Sequence, residues 1–213
     1  MPIKAIFFDL YGVYVRYLDN KRSLDLILLS NDKLREEIFA YERGELTCED
    51  CLEVVAVSHP PIKHFENLEE GNFDKIVKGT DENIVEAIHK LKKAGYKVGI
   101  LCNNAFWSRK KNRSMVRRKY SEYYNVIQVP DDLSLFDVVI ESCRTGYRKS
   151  DPEIYWMAAE ALGLECHECV LVDDSMLNCQ GALDQGMFAV KQDGEDSAGA
   201  VEELEHMLFK KLL

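Results

Sequence analysis

Acidic side chains follow two apolar, strand-like segments of this 213-residue sequence. Asp9 comes directly after IKAIFF, and the adjacent acids Asp173 and Asp174 close the segment CVLVDD. Carboxylates brought close together repel one another, and a hard divalent cation with oxygen ligands relieves that repulsion. Mg²⁺ is the usual ion where a few carboxylates share a site with substrate phosphate. If the two segments are neighbouring strands, their ends therefore predict an acidic Mg²⁺ site.

Residues suited to an anionic substrate follow two other strand-like segments. Asn103, after YKVGILC, carries an amide that can donate to substrate oxygens. Lys149, a few residues beyond FDVVIES, offers a compact positive charge. Polar residues after a single strand are weak evidence for an active site. Four such strand ends on one edge of a sheet favour a phosphate-sized active site over a set of solvated caps.

Alternating strand and helix patterns predict how these residues are positioned. Short apolar segments alternate with helix-favouring segments such as ENIVEAIHKLKKAG and PEIYWMAAEALG. This alternation is typical of a doubly wound α/β domain, with a parallel sheet and helices on both faces. Such sheets bind ligands outside the carboxyl ends of their strands. The predicted strands cover residues 3–8, 96–102, 136–142, 169–174 and 187–192.

The segment from residue 16 to residue 80 differs in character from the rest of the chain. It is charged and helix-favouring, and Asn31 or Asp32 is a suitable helix N-cap. Its composition predicts a small α-helical cap inserted into the core domain. The core then comprises residues 1–15 and 81–213.

The charge and hydropathy of the chain exclude several classes of function. A net charge of −10 disfavours a nucleic-acid or anionic-membrane binder, and the basic stretch from Arg109 to Lys119 is interpreted as a solvated helix face. No apolar run approaches the ~20 residues of a membrane span. The opening segment lacks the features of a signal peptide, so we expect a cytoplasmic protein.

The seven cysteines of the chain are interpreted as reduced thiols. Cys48 with Cys51, and Cys166 with Cys169, are each spaced like half of a zinc site. Neither pair has a partner pair at zinc-ribbon spacing, so a structural zinc ion is disfavoured.

Four motifs resemble, in content and in order, those of the haloacid dehalogenase-like (HAD) hydrolase superfamily. The first motif of that family, an apolar strand ending in D-x-D-x-[TV], is FFDLYGV in this chain, and the second is GILCNN. The third is the lysine segment from Gly146 to Tyr155, close to G-x-x-K-P-D-P-x-x-[FY], and the fourth is VLVDDSMLN. The family also inserts a helical cap after its first motif. The likeness covers essentially the whole chain.

This resemblance implies a mechanism and a set of site residues. Asp9 would be the nucleophile of a phosphatase acting on small phosphomonoesters, and it would form a covalent aspartyl intermediate. Mg²⁺ would be held by Asp9, the backbone carbonyl of Tyr11, Asp173 and Asp174. Three residues would hold the phosphoryl oxygens of a small phosphorylated metabolite: Lys149, Cys102 and Asn103.

Two positions depart from the phosphatase pattern. Tyr11 stands where phosphatases carry the acid that protonates the leaving alkoxide and then activates water. The ordinary pKa of tyrosine is ~10, so the residue is a poor general base near neutral pH, and the expected loss is about 10²- to 10⁴-fold in rate. Cys102 replaces a Ser or Thr, which weakens one phosphate contact because a thiol is a weak donor. Tyr11 is equally interpreted as a packing residue between core and cap.

Two alternatives to a phosphatase remain open from the sequence. L-2-haloacid dehalogenases also carry D-x-Y-G in the first motif; they need no metal, and their halide leaving group needs no proton. However, they carry Thr where this chain has Val13, and they lack the acid pair of the fourth motif. The second alternative is a catalytically inactive, phosphate- or partner-binding descendant. The substrate is not predicted, because the cap selects it and carries no motif.

Overall fold

Five apolar segments form a parallel sheet in the computed structural model, which describes residues 2–17, 32–46, 77–105 and 134–213. The order of the sheet places the first strand in the middle, so the strands on its two sides are contributed by different parts of the chain. The strands are β1 (Ala5–Phe8), β2 (Val15–Tyr17), β3 (Val77–Thr80), β4 (Lys97–Cys102), β5 (Val138–Glu141), β6 (Cys169–Asp173) and β7 (Phe188–Lys191). The parallel sheet runs in the order β5-β4-β1-β6-β7.

The helices that connect these strands begin and end close to the positions that the sequence predicts. The first helix after the inserted segment is capped by Asp81, whose side chain accepts hydrogen bonds from the backbone N–H groups of Asn83 and Ile84. No described helix is both long enough and apolar enough to cross a membrane. The helices are α1 (Asp32–Glu42), α2 (Glu82–Lys93), α3 (Ser142–Thr145), α4 (Pro152–Ala161), α5 (Met176–Asp184) and α6 (Ser197–Leu208).

Successive residues of β1 face opposite sides of the sheet and belong to two separate apolar cores. Ile6 and Phe8 pack into the core formed with α2 and α6. Ala5 and Phe7 pack into the core formed with α4 and α5. Because both faces are covered, the central strands are apolar throughout and do not alternate with polar residues. The predicted doubly wound α/β fold is confirmed.

The two ends of the inserted segment form strands, which the predicted helical cap did not include. β2 pairs antiparallel with β3, and the two form a small separate sheet. Arg16 forms an ion pair with Asp81 and donates a 3.1 Å hydrogen bond to the hydroxyl of Ser197. A predicted helix is present at Asp32–Glu42. The rest of the predicted cap and the basic stretch at 109–119 lie outside the described residues.

The carboxylate of Glu205 on α6 anchors the end of the described chain. It accepts hydrogen bonds from the backbone N–H groups of Leu212 and, at 2.8 Å, Leu213. The ammonium of Lys211 lies 2.9 Å from its second oxygen. These two N–H groups and then Lys211 lower the pKa of Glu205 from 4.5 to about 2. The ionised carboxylate therefore favours the folded state.

We expect the contribution of Glu205 to stability to depend on pH. Because its pKa is lower in the folded state, the contribution is complete above the ordinary value of 4.5 and is lost as the pH falls toward about 2. Urea unfolding at a series of pH values should show wild type more stable than Glu205→Gln at pH 6, with a difference that shrinks below pH ~4.5. Glu203→Gln, an exposed position on the same helix, is the control. A difference independent of pH would contradict the assignment.

Candidate active site

The central position of β1 brings the predicted site residues to one edge of the sheet. Phe8, the last residue of β1, is paired in register with Ile100 of β4 and Val172 of β6. Asp9 directly follows Phe8, and its N–H donates a 2.9 Å hydrogen bond to the carbonyl of Val172. Asp173 closes the neighbouring strand. The carboxyl ends of these parallel strands therefore converge where such sheets bind ligands.

The ammonium of Lys149 links the acidic residues of this edge. It lies 2.7 Å from Oδ1 of Asp9 and 2.6 Å from Oδ2 of Asp173, and it donates a third hydrogen bond of 2.8 Å to the carbonyl of Leu101. The side chain is fully buried. All three donors of the ammonium are thus satisfied within the protein, as burial of a charge requires.

The pKa values of Lys149 and Asp9 are strongly shifted, and acidic groups outnumber basic groups in the site. Burial would lower the pKa of Lys149, but Asp173 and Asp9 outweigh it and hold the pKa above its ordinary value. Burial raises the pKa of Asp9 to about 7; Lys149 lowers it, and Asp173 and Asp174 raise it further. Three carboxylates lie around one ammonium group. The charge of the site would therefore be better balanced by a further cation.

Three carboxylates are spaced to hold a cation. Asp9, Asp173 and Asp174 each offer an oxygen, and these oxygens lie within 4.8 Å of one another. Among the described residues, they are the one group of His, Cys, Asp or Glu side chains with such spacing. A donor set made only of oxygens suits Mg²⁺ better than zinc, whose protein sites usually include nitrogen or sulfur ligands. Cys166 and Cys169 are free thiols, and the other CxxC pair lies outside the described residues.

Asp173 is held in place from the helix that follows it. Its Oδ1 accepts hydrogen bonds of 2.9 Å from the backbone N–H of Ser175 and from the side-chain amide of Asn178. With Lys149 on Oδ2, both oxygens of this carboxylate are engaged. Sequence reasoning gave Asn178 no role. Its signal is its position in the first turn of α5, from which a side chain reaches back toward the strand end.

Gly12 lets the loop after β1 pass close to Asp174. Its φ is +93°, a backbone conformation that favours glycine. A Cβ at this position would lie 2.2 Å from Oδ2 of Asp174. The Gly12 carbonyl accepts a 2.7 Å hydrogen bond from the buried side-chain amide of Gln192. Gly12 is therefore part of the acidic site.

The phenol ring of Tyr11 packs in the apolar core on the side of α2 and α6. The residue is 9% exposed and belongs to the same cluster as Val13 and Tyr14. Its backbone forms an isolated bridge with Val15. Packing of Tyr11 in the core is therefore observed, and its predicted packing against the cap stays a prediction. The catalytic role of Tyr11 and the metal contact of its carbonyl stay predictions.

The amide of Asn103 holds the backbone of Lys149. Its Oδ1 accepts a 2.7 Å hydrogen bond from the Lys149 N–H, and its Nδ2 donates a 3.0 Å hydrogen bond to the Lys149 carbonyl. The sequence predicted that this amide donates to substrate oxygens. In the structure its groups are used within the protein, which gives Asn103 a positioning role; the substrate contact stays a prediction.

Cys102, the last residue of β4, is fully buried. Burial, followed by the negative charges of Glu141 and Asp9, raises the pKa of its thiol well above the ordinary value. The thiol is therefore neutral, which suits a weak hydrogen-bond donor and not a nucleophile. Its predicted contact with substrate stays a prediction.

Sequence reasoning missed a second charged pair beside the lysine. Nε of Arg148 lies 2.6 Å from Oε2 of Glu42, the last residue of α1. Arg148 could have been noticed as the neighbour of Lys149. Glu42 carries no local signal, because it lies in the inserted segment, far from the third motif in the chain.

The sequence is similar to those of known proteins. A sequence model of the haloacid dehalogenase-like hydrolase family matches residues 3–186. Phosphatase MT3486 from Mycobacterium tuberculosis is 31% identical over 120 residues, covering 55% of this chain and 49% of that protein. Bifunctional epoxide hydrolase 2 from Sus scrofa is 29% identical over 178 residues, covering 79% of this chain and 28% of that protein. The chain thus spans less than two thirds of either relative.

A solved structure shares the fold. A HAD family enzyme from Bacteroides thetaiotaomicron, in complex with magnesium and inorganic phosphate, superposes with a TM-score of 0.54 and 19% sequence identity. The superposition covers 90% of this chain and 95% of the other.

We expect Gly12→Ala to lower the free energy of unfolding far more than the same substitution at a glycine with a similar φ angle. Gly95→Ala is the matched control, since its φ is +90° and nothing lies within 4 Å of the added Cβ. The control should lose about 1–2 kcal/mol of unfolding free energy from the positive φ alone. Gly12→Ala must also displace the carboxylate of Asp174, so its loss in urea unfolding should be clearly larger. Equal losses would show that Asp174 moves away freely.

Proposed function

This chain belongs to the haloacid dehalogenase-like hydrolases, and on that premise we propose that it is a Mg²⁺-dependent phosphatase of small phosphomonoesters with Asp9 as its nucleophile. The observation that carries the proposal is the buried lysine that joins Asp9 to Asp173 beside a third carboxylate, Asp174. Two relatives add support: one is named a phosphatase, and the other, a HAD family enzyme, was solved with magnesium and inorganic phosphate.

The negative charge of the site sets what the reaction requires. A carboxylate that attacks an anionic phosphate must overcome charge repulsion, and Lys149 supplies one positive charge. Asp9, Asp173, Asp174 and the Tyr11 carbonyl would hold Mg²⁺. When bound, the ion would neutralise charge on the phosphoryl oxygens and help to orient them.

Asp9 acts in two chemical steps in this proposal. A carboxylate oxygen of Asp9 forms a bond to phosphorus while the bond from phosphorus to the ester oxygen breaks and the alcohol leaves. Water then attacks the phosphorus of the aspartyl phosphate, which releases inorganic phosphate and regenerates the carboxylate. Lys149 fixes the orientation of Asp9 through its 2.7 Å contact and reduces the repulsion of the incoming phosphate.

The weak point of the proposed chemistry is the proton for the leaving alcohol. Tyr11 occupies the position of the usual acid, and its side chain is packed in the apolar core. Turnover should therefore be slow for alkyl phosphates, whose alkoxide needs a proton, and faster for aryl phosphates, whose leaving group is stable as an anion.

The proposal also assigns roles to the two parts of the chain and a cellular location to the protein. Residues 1–15 and 81–213 would form the catalytic core, and the inserted residues 16–80 would select the substrate, a small phosphorylated metabolite. The described cysteines are free thiols, which is consistent with the proposed cytoplasmic location.

Metal-independent hydrolysis of a 2-haloacid is the second candidate, and the buried Tyr11 side chain favours it, because a halide leaves without a proton. Against it, Asp173 and Asp174 would face a substrate carboxylate, which is unfavourable. Halide release from a panel of 2-haloacids, without added metal, distinguishes the two reactions.

We expect wild-type protein to release phosphate from small phosphomonoesters only in the presence of Mg²⁺. Asp9→Asn should lose this activity entirely, because an amide is a poor nucleophile. The measurement is phosphate release across a panel, with melting temperatures to show that each variant is folded. No turnover above that of Asp9→Asn would contradict the proposal and move the dehalogenase ahead of it.

Tyr11→Asp should raise the turnover of alkyl phosphates by about 10²- to 10⁴-fold, because it restores a group that can protonate the alkoxide. Aryl phosphates, which need less acid catalysis, should gain much less. The ratio of the two gains is the critical measurement. An equal gain for both classes would mean that the new carboxylate acts in another way, such as in metal binding.

A further inference from the structure

The end of α1 carries a partly buried carboxylate that contacts the lysine loop, the segment 146–151 between α3 and α4. Nε of Arg148 lies 2.6 Å from Oε2 of Glu42, and the two side chains are only 7% and 18% exposed. The guanidinium of Arg148 also lies 3.6 Å above the ring of Phe39, one helical turn before Glu42. Two side chains on one face of α1 therefore contact Arg148, the residue that precedes Lys149.

The same carboxylate oxygen is also linked to Lys149 through a second side chain, that of Asn103. The Nδ2 of Asn103 lies 3.3 Å from Oε2 of Glu42, and the amide of Asn103 pairs with both the N–H and the carbonyl of Lys149. The hydroxyl of Ser142 lies 2.6 Å from the Glu42 carbonyl, which fixes the backbone of α1 at this point. Glu42 thus contacts the side chain of Arg148, the residue before Lys149, and the side chain of Asn103, which pairs with the Lys149 backbone.

We propose that Glu42 is a positioning residue for Lys149, so that the catalytic lysine is placed correctly only when the end of α1 is docked on the core. Glu42 touches neither Asp9 nor Asp173 and acts through Arg148 and Asn103. The catalytic part of this inference rests on the proposed phosphatase function. The placement of Lys149 does not.

The long lysine side chain explains why its backbone needs this support. The contacts of the ammonium with Asp9 and Asp173 fix only the far end of four rotatable bonds. The near end lies in a loop, and two of its backbone contacts are those with Asn103. Displacements of about 1 Å at a reacting group can lower a rate by about 10²-fold. Loosening the Glu42 contacts is therefore expected to reduce turnover without removing any catalytic group.

A simple structural clamp is the competing explanation. In that case the ion pair of Glu42 and Arg148 would hold α1 on the core, and its loss would lower stability while Lys149 stayed in place. Melting temperature cannot separate the two explanations. The accessibility of the Lys149 ammonium can, because this side chain is fully buried in the intact protein.

The test compares Glu42→Gln with Glu45→Gln. Glu45 pairs with Arg43 at 2.8 Å in the same stretch of chain, but its side chain is 58% exposed, so it is a matched control for the loss of one charge. Folded protein without added metal is treated briefly with an amine-acetylating reagent, and the acetylation of each lysine is measured by mass spectrometry. kcat and KM for an aryl phosphate are measured with Mg²⁺.

Glu42→Gln should raise the acetylation of Lys149 several-fold and lower kcat by about 10- to 100-fold, with Lys191 labelled as in wild type. Glu45→Gln should change neither quantity. Glu42→Asp keeps the charge beside Arg148 but is one methylene shorter. It should fold as wild type does and give an intermediate labelling of Lys149, which keeps the test decisive if Glu42→Gln is unstable.

Unchanged Lys149 labelling in both Glu42 variants would overturn the proposal and leave Glu42 as a clamp. A parallel rise at Lys191 would also overturn it, because it would indicate general loosening. If the wild-type protein releases no phosphate, the phosphatase proposal fails, and the labelling alone still decides whether Glu42 positions Lys149.

Discussion

Three carboxylates at one edge of a sheet repel one another unless positive charge lies among them, and in the described part of the chain Lys149 provides such a charge. Its ammonium is fully buried and contacts Asp9 and Asp173 at 2.7 and 2.6 Å. Removing a charge from water is costly unless partners replace the water, and here two carboxylates and one carbonyl do so. The acids and the lysine therefore depend on one another, and neighbouring elements are arranged around this contact.

The fold provides the rigid frame that this contact needs. Strand β1 is central, so Asp9 has the ends of β4 and β6 on either side. Both faces of the sheet are closed by apolar cores, which leaves the carboxyl edge as the place where polar groups can collect. Side chains from the connections then complete the site: Asn178 from α5 holds Asp173, and Asn103 holds the Lys149 backbone.

The sequence predicted the frame and the charged centre well, because both depend on local patterns. Apolar segments ending in acids located Asp9 and Asp173, and helix signals located the start of α2 and of α4. The strands β2 and β3 were missed, since they are short and their pairing joins residues some 60 positions apart. Glu42 was missed for the same reason, because its partner Arg148 lies 106 positions away in the chain. Such contacts are set by tertiary structure and leave no periodic signal in the chain.

The pairing of β2 with β3 has a consequence for how this architecture can diversify. The chain leaves the core at one strand and returns at its hydrogen-bonded neighbour, and Arg16 with Asp81 ties the junction to α6. The entropy of closing a loop depends only weakly on its length once its ends are held together; doubling the length costs only about 0.6 kcal/mol. Insertions and deletions between the two strands that spare the end of α1 therefore leave the core nearly undisturbed. Evolution can exchange the other inserted residues for longer or shorter ones, while the contacts of Glu42 with Arg148 and Asn103 are kept and the carboxylates and the lysine stay where they are.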